Sequence, residues 1–216
     1  MSGNFVSKKD ESVRLFQSDF LEFLTRVHWS IPLVIYVPVI GFLLRGASRA
    51  DGLGRASTAW MFAAGVIAWT LAEYLIHRHV FHFQPRGRLM KQLFWLFHGV
   101  HHDYPNDSRR LVMPPAVSAP LALLFYAGFL ELLGKPRVDP FFAGFLTGYL
   151  AYDMIHYAIH HLAWRRSRIG LFLKQHHFRH HFQDGDRGFG VSSPLWDYVF
   201  GTRHLPAAPE REPNDG

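Results

Sequence analysis

Residues 173–181 read LKQHHFRHH, and four of these nine side chains are imidazoles: His176, His177, His180 and His181. His177, His180 and His181 stand at i, i+3 and i+4, so on a helix they project from one face. Neutral imidazole suits iron, zinc and copper, and three on one face can hold one side of a metal ion. The same H-x-x-H-H spacing recurs at His98, His101 and His102 in FHGVHHD. His77 and His82 sit five apart in HRHVFH, and His156 and His160 sit at i, i+4 in HYAIHH. These ten imidazoles exceed the four ligands of a structural zinc. They suit two metals with five nitrogens each and a position left for oxygen or water. Four groups at such spacings speak against a scatter of unrelated histidines.

The chain around these groups is apolar. It has 216 residues, 49% hydrophobic and 16% aromatic, with only 19% charged. That length suits one domain. Long apolar runs alternate with short basic, histidine-rich segments, the pattern of a multi-span membrane protein. There is no cysteine, so a metal must be held by histidine and carboxylate. The net charge of +6 fits loops beside a membrane, and no nucleic-acid partner is expected. The first residues, MSGNFVSKKDESVRLF, are polar and mixed in charge, and no cleavable signal peptide is expected.

Four runs are candidate spans: residues 27–44, 56–76, 112–133 and 140–162. The expected fold is all-α, with about four transmembrane helices and a cytoplasmic, histidine-rich helical cap. Residues 1–26 read as a polar tail leading into an interfacial helix, with Phe16, Phe20, Phe23 and Leu24 at helical spacing. Residues 27–202 form the integral-membrane domain. Residues 203–216, rich in proline and charge, read as a disordered tail. The tight GKPRVD turn makes the last two spans an antiparallel pair. Lysine and arginine crowd the N-terminal tail, residues 86–110 and the stretch after the last span. The excess places those three segments, and with them all four histidine groups, in the cytoplasm. Glu73 lies deep in the second span, and an intramembrane acid is a functional candidate by default. It either orients a metal-bound histidine or lies at the interface.

The segments EYLIHRHVFH, HGVHHDYPNDSRRLVMPP, HYAIHH, and HHFRHHF followed by GFGVSSPLWDYVFGT resemble the fatty acid hydroxylase / sterol desaturase superfamily. The likeness runs from about Glu73 to Thr202 and leans toward its fatty acid 2-hydroxylase branch. It implies a membrane oxygenase with a dinuclear metal centre, using dioxygen and two electrons to hydroxylate an acyl chain at C2. Carried over by position, the ligands are His77, His82, His98, His101, His102, His156, His160, His177, His180 and His181. Tyr152 and Asp153 match a tyrosine–aspartate pair near the family's metals, while His79, His161 and His176 are neighbours left unassigned. Asp153 lies three residues before His156, where its carboxylate can accept the free N–H of a ligand ring or bond a metal-bound water.

Iron is the expected metal. Zinc can mark such a site but cannot change oxidation state. Eukaryotic members often carry an N-terminal cytochrome b5 domain, and the residues before the first span leave no room for one. Electrons are therefore expected from a separate donor of cytochrome or ferredoxin type. The protein is expected in the plasma membrane if prokaryotic and in the endoplasmic reticulum if eukaryotic, its metals facing the cytoplasm. The alternatives are a desaturase, a hydroxylase of a sterol, carotenoid or lipid head group, and a non-catalytic metal-binding membrane protein.

Overall fold

The computed structural model describes residues 5–204, and every regular element among them is helical. The expected C-terminal tail lies outside the described residues from position 205 onward. Three helices are long and apolar enough to cross a membrane: α2 (Ile31–Arg49), α3 (Arg55–Ile76, continuing to Phe81) and α6 (Pro115–Leu133). Prolines at the starts of α2 and α6 fall in the first turn, where the missing N–H has no helical partner to lose. A short connection then turns α6 into α7 (Val138–His161).

At 24 residues α7 is longer than α2 and α6, and at roughly 1.5 Å per residue it is long enough to cross a membrane. It was expected as an apolar span, yet it falls outside the three helices that qualify by composition. The reason is its position. α7 packs most extensively on α3, and also on α2 and α6, so most of its surface meets protein rather than lipid. A helix enclosed in this way can carry Asp139, Asp153, His156 and His160, all buried.

Two glycines let α3 and α7 approach closely. A Cβ on Gly144 would stand 1.9 Å from the Phe62 carbonyl, and one on Gly65 would stand 1.9 Å from the Phe141 carbonyl. Small residues at a helix crossing are the usual means of close packing inside a membrane. Above the crossing, Trp69 meets Phe145 and Tyr149 edge to face, with ring centroids 5.1 and 5.2 Å apart. This aromatic core fixes α3 against α7, and both helices end in ligand-type histidines.

The remaining elements cap one end of the bundle. α4 (Arg88–Phe94) runs through a π-helical turn (Trp95–Gly99) into α5 (Val100–Asp103). α8 (Arg168–Phe182) starts at a Ser167 cap that accepts the Gly170 N–H, and α9 (Leu195–Val199) closes the chain. The residues expected as an N-terminal tail instead form an extended strap across residues 103–110. Val6 and Ser7 donate to the Asp103 carbonyl, Ser108 donates to Asp10, and Arg110 donates to the Val13 carbonyl. The strap leads into α1 (Asp19–Thr25), whose Glu22 is buried and paired with both Arg26 and Arg110 at 2.7 Å. Phe20 and Phe23 of α1 are exposed.

Candidate metal centre

The ten expected ligands converge, and they do so as two groups of five. His77, His82, His98, His102 and His180 form one cluster, and His101, His156, His160, His177 and His181 form the other. Within each cluster the ligand-type atoms all lie within 4.8 Å of one another. The partition cuts across the sequence groups. His98 and His102 belong to the first cluster while His101, between them, belongs to the second. His177 and His181 belong to the second while His180 belongs to the first. Residues four apart thus share a cluster, and the i+3 residue of each box reaches the neighbouring one. The rings of His102 and His181 stack at 4.3 Å where the clusters meet.

His77 and His82 are five apart, which an α-helix does not place on one face. The structure answers with a π-helical turn, His77–Phe81, whose wider loop bonds the His82 N–H to the His77 carbonyl at 3.1 Å. A second π-helical turn, Trp95–Gly99, carries His98. Both departures from α geometry thus fall on ligand-type histidines, where single-turn π-bulges frequently occur.

Contacts between nitrogens test whether these residues fit metal ions. His98 Nε2 lies 3.2 Å from His77 Nε2, 3.1 Å from His82 Nε2 and 3.0 Å from His102 Nε2. In the second cluster His101–His156, His160–His177 and His177–His181 approach to 3.0, 3.1 and 3.0 Å. Nitrogens bound about 2.1 Å from one ion stand about 3.0 Å apart at right angles and about 3.4 Å apart in a tetrahedron. The observed spacings fit nitrogens that would share one ion. Proton counting agrees. His77 Nδ1 lies 2.5 Å from the Phe189 carbonyl and His180 Nδ1 lies 2.8 Å from the Arg187 carbonyl. A carbonyl only accepts, so both Nδ1 atoms carry the proton and both Nε2 atoms present a lone pair. One nitrogen can donate to one neighbour, not three, so His98 Nε2 is satisfied only by a cation. The residues fit the two metal ions.

Burial supports the same protonation state. It pushes His102 down to about 3, with His77 and His156 adding repulsion. His98, His101, His177, His180 and His181 are held well below the ordinary imidazole value, first by burial and then by neighbouring imidazoles. His82 is lowered for the same reasons. All are neutral at physiological pH.

An apolar cavity of about 750 Å³ opens onto this centre. His98, His101 and His156 stand in its wall, so both clusters contribute to it. Trp69, Phe125, Phe145 and Leu146 supply part of its apolar lining. Tyr152 and Asp153 also line it, and the Tyr152 ring stacks on His156 at 5.7 Å. Asp153 is fully buried, and its Oδ1 accepts the Met113 N–H at 3.4 Å. The expected bond from Asp153 to a ligand ring is not formed: Asp153 faces the Met113 N–H and the Tyr149 hydroxyl, and His156 faces the Leu111 backbone. The three unassigned histidines stay outside both clusters. His79 is exposed, His161 stacks on Tyr157, and His176 donates to Asp197 at 3.3 Å.

Sequence reasoning singled out Glu73 but not its partners. Glu73 accepts the Val191 and Ser192 N–H groups at 2.7 and 2.8 Å, and the Ser192 hydroxyl. Asp197 passed unnoticed. A lone acid inside the aromatic run PLWDYVFGT was the available signal. It is fully buried and accepts the Phe189 and Gly190 N–H groups at 2.9 and 2.8 Å. Burial pushes its carboxyl up, but donors from His176, Gly190, Thr202 and Phe189 outweigh this and leave it below the usual carboxylate value.

Known proteins are similar to this chain. A dihydroceramide fatty acyl 2-hydroxylase of Arabidopsis thaliana is 42% identical over 89% of this chain and 80% of its own length. A ceramide very long chain fatty acid hydroxylase of Saccharomyces cerevisiae is 38% identical over 88% of this chain and 50% of its own length. A solved structure of full-length Scs7p, in which only the hydroxylase domain is visible, superposes with a TM-score of 0.81 at 36% identity. It covers 90% of this chain and 73% of that one. The fatty acid hydroxylase family model matches residues 62–202, the stretch that holds all ten clustered histidines. By sequence, fold and histidine geometry together, the chain belongs to the fatty acid hydroxylase family.

Proposed function

We propose that this protein is an integral-membrane lipid hydroxylase that inserts one oxygen atom at C2 of an acyl chain. The observation that carries the reading is the apolar cavity whose wall holds histidines of both clusters. An acyl tail fits such a lining, and the histidines stand where its first carbons would lie. One atom of dioxygen enters the C–H bond, and the other leaves as water with two protons and two electrons. The electrons come from a separate donor of cytochrome or ferredoxin type. Bound iron, as two ions held by the two histidine clusters, would supply the redox chemistry that an unactivated C–H bond demands.

The chain's own residues hold and shield that chemistry. The ten histidines keep neutral nitrogens aimed inward. Tyr152 and Asp153 sit one turn or less before His156, and Asp153 is the candidate to hold a proton or a water beside the reacting carbon. Trp69, Phe145 and Leu146 exclude bulk water from the cavity. The hydroxylase unit is residues 27–202, and its metal face is turned to the cytoplasm, since lysine and arginine crowd that end.

Lipid mass spectrometry of cells with and without the gene tests the reading. A gain of one oxygen on an acyl fragment, located at C2, is the expected result. Loss of two hydrogens would make the protein a desaturase, and oxygen on a sterol, carotenoid or head group would move the substrate. No lipid change at all would reduce it to a metal-binding membrane protein.

A further inference from the structure

The two histidine clusters differ in what stands behind them. In the first, His77 Nδ1 and His180 Nδ1 both donate to carbonyls of one loop, those of Phe189 and Arg187. In the second, the Nδ1 atoms of His160, His177 and His181 are buried without a hydrogen-bond partner among the described residues. The loop behind the first cluster is itself held from two sides. Glu73 of α3 accepts the Val191 and Ser192 N–H groups, and Asp197 of α9 accepts those of Phe189 and Gly190. Thr202 also donates to Asp197, at 2.8 Å, and receives the Tyr74 hydroxyl at 2.9 Å. Gly190 permits the tight fit, since a Cβ there would lie 2.1 Å from the Ser193 carbonyl and 3.0 Å from Asp197 Oδ2.

From this we infer that Glu73 and Asp197 are positioning residues for one metal position only, and that the two positions are inequivalent. The clamped loop fixes the tautomer and ring orientation of His77 and His180, so the cluster containing His82 releases its ion more slowly than the cluster containing His160. A carbonyl fixed behind an imidazole raises its basicity and removes its rotational freedom, and both strengthen binding. The rings of His160, His177 and His181 in the second cluster lack that support. Asp197 acts through backbone, not by touching the metal: four donors converge on its two oxygens. An asparagine offers one acceptor oxygen and turns an NH₂ group toward the other donors. The inference rests on the two-metal reading given above.

The test loads the full-length protein with iron(II) under anaerobic conditions, adds excess chelator, and follows retained iron with time. Two ions leaving in two phases are expected, with His160→Ala removing the fast phase and His82→Ala removing the slow one. Asp197→Asn should speed the slow phase about 10–100-fold, the size of outer-shell effects on metal affinity, and leave the fast phase unchanged. Equal acceleration of both phases would mean general weakening and overturn the positioning role. Should Asp197→Asn not fold, the histidine variants still decide: a single phase, or a slow phase that survives in His82→Ala, overturns the inequivalence. Uptake of fewer than two ions by the unaltered protein is a different result and overturns the two-metal reading itself.

Discussion

A buried nitrogen with three other nitrogens at 3.0–3.2 Å is the situation of His98 Nε2, and no arrangement of single protons satisfies it. The same logic sets the consequence of losing one ring. His180→Ala removes a ligand from the first cluster and leaves the five of the second in place. Bound iron should fall from two ions per chain toward one, and turnover should be lost. His79 is exposed and outside both clusters, so His79→Ala should change neither. Metal analysis and lipid turnover on the same preparations check both; full activity in His180→Ala would remove it from the ligand set. Asp153 asks a finer question. It bonds no ligand-type ring, yet it is fully buried in the cavity wall beside the Tyr149 hydroxyl. Asp153→Asn keeps the shape and removes the charge. Iron content should stay near that of the unaltered protein while turnover falls at least about tenfold, the low end of outer-shell effects. Undiminished turnover would leave Asp153 only its structural contacts with Met113 and Tyr149.

At the scale of elements, the crossing of α3 and α7 sets where the helices deliver their histidines. Gly144→Ala puts a methyl group 1.9 Å from the Phe62 carbonyl, so the helices must separate. Overpacking of this kind costs about 1–3 kcal/mol, which for a chain of this size lowers Tm by roughly 2–12 °C. Gly128 on α6 has nothing within 4 Å of its Cβ position, and Gly128→Ala should leave Tm unchanged or raise it slightly. Thermal unfolding in detergent compares the two. The elements also show what could be read from the chain beforehand. All ten clustered histidines and the helical class were legible, because imidazoles recurring at near-helical spacing in apolar surroundings point to metal binding. Their division into two fives was not, since it depends on how α5, α7 and α8 face one another. The π-helical turns were not legible either. A five-residue gap between His77 and His82 looks irregular until the widened turn is seen. The N-terminal strap escaped because its anchors lie about a hundred residues away, as in the bond from Ser108 N–H to Asp10. Asp197 escaped because its partners are mostly backbone groups, which leave no side-chain pattern.

For the whole molecule, folding gathers the imidazoles into a site that excludes protons, and this couples stability to pH. His102 is held near 3 in the fold, against about 6.5 in an unfolded chain. His98, His101, His177, His180 and His181 are lowered in the same direction. Below about pH 6.5 the unfolded state binds more protons than the folded one, so stability falls as pH falls, by roughly 1.4 kcal/mol per such group per pH unit. The metal-free protein should keep a constant Tm above about pH 7.5 and lose it steeply between about pH 6.5 and 5; a flat profile would mean that these rings are not neutral and buried. The arrangement of the bundle carries the last prediction. α2, α3, α6 and α7 pack as one group, and the segments after α3 and α7 supply ligand-type histidines to both clusters. Those segments must therefore share one side of the membrane, which four crossings allow and three do not. Residues 50–54, between α2 and α3, then lie on the opposite side with residues 134–137. On the proposed orientation, with lysine and arginine in excess on the histidine side, that side faces the cytoplasm. A tag inserted at residues 50–54 should be reached by an impermeant reagent from the non-cytoplasmic face of the membrane, and a tag fused after Gly216 only from the cytoplasmic face. Both tags reporting the same side would mean that α7 does not cross, and the clusters would then have to assemble across a bilayer, which the 3.0 Å contact of His101 with His156 forbids.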